Sequence, residues 1–91
     1  GGHAGVRNAY MSVTVTVQCL GQLRDSVSAT PITLTCNADA GALLDALADQ
    51  FEAISALGGA VAVATDDRYL QRSDALVHGM TLVLVPPISG G

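Results

Sequence analysis

Few residues in this chain have types and spacing that could do chemistry, and the strongest set stands at its end. The last stretch runs from Met80 through Thr81-Leu82-Val83-Leu84-Val85 to Pro86-Pro87-Ile88-Ser89-Gly90-Gly91. A terminal α-carboxyl ionises at roughly pH 3.3–3.7, so on Gly91 it is a carboxylate at neutral pH. A carboxylate resists nucleophiles until something activates it, as adenylation by ATP does. Gly90 and Gly91 carry no Cβ and make a thin thread around which another protein can close. Pro86 and Pro87 have no N–H for a sheet ladder and favour a stiff, extended lead. A core strand feeding such a lead and a bare Gly-Gly end reads as a presented substrate rather than a loose terminus.

The other candidates are weaker. Cys19 and Cys36 have no metal-ligand spacing and share the parity of the apolar positions around them, so they read as small buried hydrophobes. Asp45, Asp49 and Glu52 fall mostly on the polar side of a helical pattern, which suits a solvated face better than acid/base work. His78 sits beside Gly79 in a turn with no nucleophile or carboxylate tied to it by sequence, and His3 lies in a glycine-rich arm. Gly58-Gly59 is too short for a dinucleotide loop. The sequence offers no catalytic group beyond the reacting terminus and no metal site.

The elements that must position the tail follow from periodicity. Val13, Val15, Val17 and Cys19 alternate with Ser12, Thr14, Thr16 and Gln18, which predicts a strand over Ser12 to Leu20 with one buried face. Gly21 to Pro31 turns the chain. Ile32 to Cys36 alternates again, with Ile32, Leu34 and Cys36 inward, and forms a hairpin with the first strand. Asp39 is placed to cap a helix from about Ala40 to Ala53, on which Leu43, Leu44, Leu47, Phe51 and Ile54 share a face. Leu57-Gly58-Gly59 ends that segment. A short strand over Ala60 to Ala64, a turn at Thr65 to Arg68 and a short edge strand at Tyr69 to Gln71 lead to the last strand, Met80 to Val85.

In that strand Met80, Leu82 and Leu84 face one side, while Val83 and Val85 leave the other side apolar too. This suits a central strand covered on both faces. The helix can cover one face. The Val83–Val85 face is then a candidate docking patch for another protein.

At 91 residues the chain is one small domain, with 49% apolar residues and three aromatics, so its core must be aliphatic. Its formal charge is −4, with four arginines and no lysine. Nothing there neutralises phosphates, which argues against nucleic acid. No apolar run approaches the roughly 18 residues that span a membrane, and a cytoplasmic protein is expected. Residues 1–10 read as a tag remnant or disordered extension before Met11, and residues 11–91 as the domain.

Strand, strand, helix, strand, short strand, strand describes an α+β fold in which a mixed sheet packs on one main helix. The first and last strands can pair in parallel at its centre. That is the β-grasp, or ubiquitin-like, arrangement. Here Leu84-Val85-Pro86-Pro87-Ile88-Ser89-Gly90-Gly91 resembles the tail of the MoaD/ThiS sulfur-carrier family, closest to its molybdopterin synthase small-subunit branch. Gly21-Gln22-Leu23-Arg24-Asp25 resembles the Leu-Arg-acidic segment after that family's first strand. The chain departs from the family at Leu20, where an aromatic is usual, between Asp25 and Ala29, where a glycine is usual, and at His78-Gly79-Met80-Thr81, where the turn is usually acidic.

The resemblance implies a carrier that binds no cofactor itself. A ubiquitin-activating-like adenylyltransferase (MoeB-like) would use ATP and magnesium to adenylate Gly91, and sulfur would replace AMP to leave a thiocarboxylate. The large subunit of molybdopterin synthase (MoaE-like) would then receive Pro86, Pro87, Ile88, Ser89 and Gly90 in its pocket, with docking through Val83 and Val85. Sulfur would pass to cyclic pyranopterin monophosphate during molybdenum cofactor biosynthesis. The chain would be the non-catalytic, sulfur-donating subunit of a heteromeric sulfurtransferase. Alternatives are a carrier for thiamine, cysteine or tRNA thiolation, a ubiquitin-like protein modifier, and a plain binding module.

Overall fold

The computed structural model describes residues 12–88. Four strands, β1 (Ser12–Cys19), β2 (Ile32–Asn37), β3 (Ala62–Ala64) and β4 (Thr81–Val85), form one sheet in the order β2-β1-β4-β3. β1 pairs antiparallel with β2 and parallel with β4, while β3 pairs antiparallel with β4. The first and last strands therefore lie side by side at the centre, as the sequence predicts, and the architecture is the mixed-sheet β-grasp fold.

Alternation decides which face is buried. Val13, Val15, Val17 and Cys19 of β1, Leu34 of β2, Val63 of β3 and Leu82 and Leu84 of β4 point to one side and are buried. Against them pack Leu43 and Leu47 of helix α2 (Ala40–Gln50) and Ile54 of helix α3 (Glu52–Leu57), also buried. No polar or charged residue is buried among the described residues. Full burial of each such aliphatic side chain is worth about 1.5–3 kcal/mol, so this aliphatic layer carries the fold.

Asp39 is the cap of α2, as expected: its Oδ1 accepts the Ala42 N–H at 2.7 Å. The helix is not continuous to Ala53. Phe51 adopts extended dihedrals (φ −127°, ψ 110°) and divides it. The break wastes no backbone group there. The Phe51 N–H still reaches the Leu47 carbonyl at 2.8 Å, and the Phe51 carbonyl accepts from Ile54 and Ser55 at 2.9 and 3.2 Å.

Other boundaries shift as well. The segment after β1 contains a short helix, α1 (Leu23–Ser26), which seats Leu23 fully in the core. A 3₁₀ turn over Gly58–Ala60 delays β3 to Ala62. The expected edge strand at Tyr69 to Gln71 reduces to one bridge between Tyr69 and Ala64. Cys19 is buried as expected, whereas Cys36 is only half-buried because it lies on the outer strand.

The remaining loop is laced to the start of α2. Ala40 and Gly41 donate their N–H groups to the carbonyls of Asp74 and Arg72, each at 2.9 Å, and Leu76 donates to Ala38 at 3.0 Å. Asp45 is not a free acid: the Arg72 guanidinium reaches both its oxygens at 3.0 Å. Asp49 and Glu52 remain exposed, as the helical pattern implies. Among the described residues no helix is long and apolar enough to cross a membrane, and no His/Cys/Asp/Glu cluster could hold a metal.

Candidate functional site: the tail exit and the outer sheet face

The tail leaves from the end of β4, so the surroundings of that end define the site. β4 is held on both sides, with Val17 opposite Leu82 and Cys19 opposite Leu84 on β1, and Val63 opposite Leu84 on β3. The Leu20 N–H extends this ladder by one bond, donating to the Leu84 carbonyl at 3.0 Å. Leu82 and Leu84 are wholly inaccessible and anchor the strand. Beyond Val85, Pro86 and Pro87 are half-buried. Ile88 is 93% exposed, so the chain has left the body of the domain there. Ser89, Gly90 and Gly91 lie outside the described residues.

The outer face of the sheet changes character along the strands. At the end where β1 begins it is polar: Thr14 stands opposite Thr35, their hydroxyls 2.8 Å apart, and Thr16 lies between Thr33 and Thr81. Towards the tail the rows become aliphatic. Val83 lies between Gln18 and Ala64, and Val85 stands opposite Ala62. Val83 and Val85, both only half-buried, line a shallow concavity of about 420 Å³ together with Leu20, Ala64 and Tyr69. Leu20 is 43% and Tyr69 65% exposed. The structure thus brings the predicted Val83 and Val85 together beside Pro86. It adds Leu20 and Tyr69, which the sequence pattern left as a strand end and an edge residue.

A charged lip borders this surface. The Thr65 hydroxyl oxygen accepts N–H bonds from Asp67 and Arg68 at 3.2 and 3.3 Å, and the Thr65 N–H donates to the Arg68 carbonyl at 2.9 Å. This self-bonded turn holds Asp66 and Asp67 at the wall of the concavity, exposed to solvent. Arg68, which also lines the concavity, pairs with Asp74, 3.1 Å away. The Gln71 N–H, bonded to Asp74 at 2.7 Å, and then the Arg68 guanidinium hold that carboxyl below its usual range.

The remaining candidates do no chemistry in this arrangement. Burial pushes both thiols up. For Cys19 a backbone hydrogen bond from Ser28 and the charge of Arg24 only partly offset this, and for Cys36 the charge of Asp39 adds to it. Neither thiol is activated as a nucleophile. His78 Nδ1 accepts the Thr14 N–H at 3.0 Å, while Gly79, at φ +88°, donates to the Thr14 carbonyl at 2.7 Å. His78 therefore fastens the turn before β4 to β1, far along the sheet from the tail.

A β-grasp body, an aliphatic outer patch and a last strand that leads out of the domain at Ile88 suit a small ubiquitin-like protein of the carrier and modifier type. The sequence model of the ThiS family matches residues 17–91, and the chain belongs to that family. Its members are small sulfur carriers and modifiers, generally non-catalytic. A comparison with curated protein sequences finds no match.

Solved structures share the fold at low identity. The Haloferax volcanii HVO 2177 protein has a TM-score of 0.73 at 18% identity, over 89% of each chain. A Pyrococcus furiosus protein described as molybdopterin converting factor, subunit 1, has a TM-score of 0.71 at 17% identity, over 84% of this chain and 99% of that one. The small archaeal modifier protein SAMP1 of Haloferax volcanii has a TM-score of 0.68 at 23% identity, over 86% and 99%.

Proposed function

We propose that this chain is a sulfur carrier, the small subunit of a molybdopterin synthase, which delivers sulfur from the end of its tail. The observation that carries the reading is the run of the aliphatic outer rows into the tail exit, with Val83, Val85 and Leu20 beside Pro86. One partner surface can cover the patch and receive the tail in the same encounter.

In the proposed reaction the Gly91 carboxylate attacks the α-phosphate of ATP, held with magnesium by a MoeB-like adenylyltransferase, and pyrophosphate leaves. Hydrosulfide delivered by a partner then attacks the acyl carbon, AMP leaves with the carboxylate oxygen, and a thiocarboxylate remains. A MoaE-like large subunit takes the tail. The thiocarboxylate sulfur bonds to a carbon of cyclic pyranopterin monophosphate as an oxygen leaving group departs from that carbon. Water then cleaves the acyl–sulfur bond, returning the Gly91 carboxylate and leaving the sulfur on the precursor. This chain contributes a rigid anchor, a stiff lead and a thread thin enough for both active sites. Catalytic groups belong to the partners.

The test is the mass of the C-terminal peptide after incubation with a sulfur-carrier adenylyltransferase, ATP and a sulfide source. Replacement of oxygen by sulfur adds about 16 Da, as oxidation of Met80 would, so fragmentation must place the change. Sulfur on Gly91 is expected. An unmodified carboxylate, with a known carrier converted in parallel, would exclude the reading.

The similarity to SAMP1 supports a second reading, a protein modifier joined through Gly91 to target lysines. Gly91-linked adducts in cell extract would favour it. Turnover of cyclic pyranopterin monophosphate with a MoaE-like subunit would favour the first.

A further inference from the structure

We infer that Gly21 is a positioning residue for the tail, because its bare backbone seats Pro86 and so sets the direction in which Pro87 and Ile88 leave the sheet. Gly21 directly follows Leu20, whose N–H makes the last bond to β4. It takes a left-handed conformation, φ +54°, which turns the chain away from β4 into α1. A Cβ at Gly21 would stand 3.2 Å from Pro86 Cγ and 3.9 Å from its Cδ, tighter than ordinary van der Waals contact at the nearer atom.

Pro86 has no N–H to donate to the ladder, so packing against its neighbour takes over part of the task of fixing it. The turn that ends β1 and the ring that begins the tail are therefore fitted to each other across the parallel pair. The α1 backbone keeps Gly21 in place. Leu23 donates to Leu20 and Arg24 to Gly21, each at 3.0 Å, while the Leu23 side chain is fully buried. A side chain at Gly21 would push Pro86 outward. Val83 and Val85, which precede the tail, would stay in place.

The kinetic part of the test rests on the carrier reading, whereas the spectroscopic part does not. Gly21→Ala, Gly21→Val, Pro86→Ala and the double variant Gly21→Val/Pro86→Ala are compared with the full wild-type chain. The readouts are the Ile88 amide signal by NMR and the rate of pyrophosphate release by a sulfur-carrier adenylyltransferase as carrier concentration varies. Gly21→Val is expected to move the Ile88 amide while core amides of β1 and β4 hold. It should lower kcat severalfold to about tenfold, since a Cβ alone requires Pro86 to give by a few tenths of an ångström and the valine methyls add to that. KM should stay within about twofold, since the docking patch is intact.

Gly21→Ala, the milder change, should show the same pattern at smaller amplitude. It serves if Gly21→Val does not fold. Removing the ring in the double variant should restore part of the kcat lost in Gly21→Val, the remainder being the strain of a β-branched residue at φ +54°, and should return the Ile88 amide towards its Pro86→Ala position. An unmoved Ile88 amide with an unchanged kcat would overturn the inference, as would a loss that Pro86→Ala does not relieve. If the wild type is not adenylated but Ile88 still moves and returns, the carrier reading fails and the positioning contact stands.

Discussion

The two faces of β4 carry the same kind of side chain and use it differently. Leu82 and Leu84 point inward and are wholly buried under α2 and α3. Val83 and Val85 point outward, stay half-buried, and are covered only in part by Leu20 and Tyr69. The inner pair is consumed in folding. The outer pair lies on a face whose other end is polar, where Thr14 and Thr35 bond to each other. Val83 and Val85 thus leave aliphatic surface open beside the tail exit.

The largest expected effect breaks the inner side. Leu84→Ala should cost about 2–5 kcal/mol in denaturant unfolding, the range for truncating a fully buried leucine. The fraction that remains folded should bind a MoaE-like subunit normally. A loss below about 1 kcal/mol would mean that the inner face does not anchor the tail strand.

Val85→Asp should do the reverse. Affinity for a MoaE-like subunit should fall at least about tenfold, or about 1.4 kcal/mol by titration calorimetry, with the unfolding midpoint little changed. Val83→Asp should act in the same direction. An unchanged binding curve for both would remove the docking role. Thr14→Val sharpens the contrast at the polar end. It breaks an exposed hydroxyl pair, should shift stability by no more than about 0.5 kcal/mol, and should leave binding unaltered.

The smallest effect concerns Asp74, whose hydrogen bonds fasten the loop that carries Tyr69. Its carboxyl is held below the ordinary aspartate range by the Gln71 N–H and then by the Arg68 guanidinium, so the folded state binds this proton less readily than the unfolded chain. The stability this contributes is present above about pH 4 and is lost as pH falls through the lower, folded value. Unfolding followed between pH 5 and 2.5 should therefore show a slightly shallower acid slope in Asp74→Asn than in the wild type. Identical slopes would mean that Asp74 is not coupled to folding.

Much of this was legible in the chain itself. The alternation of Val13, Val15, Val17 and Cys19 gave the buried face of β1, and the aliphatic residues on both parities of β4 marked a central strand. Asp39 announced the helix start, and Pro86-Pro87 the end of the sheet. The break at Phe51 was not legible, because no glycine or proline marks it and the apolar spacing runs straight through. Nor was the pairing of Asp45 with Arg72, which are 27 residues apart. Gly21 could be noted as a glycine just past a strand, but nothing in the order of residues places it against Pro86.

Local chemistry explains the division. Periodicity, capping and the missing proline N–H act within a few residues, so the sequence alone determined β1, β2 and β4, the start of the main helix and the end of the last strand at Pro86. Contacts between distant segments depend on how the strands are ordered and in what register. The parallel pairing of the first and last strands was expected from the order of the elements; only the tertiary structure decided the register that sets Leu20 beside the tail strand and Gly21 beneath Pro86. It also decided that Tyr69 closes one side of the outer patch, because a single bridge to Ala64 brings it there.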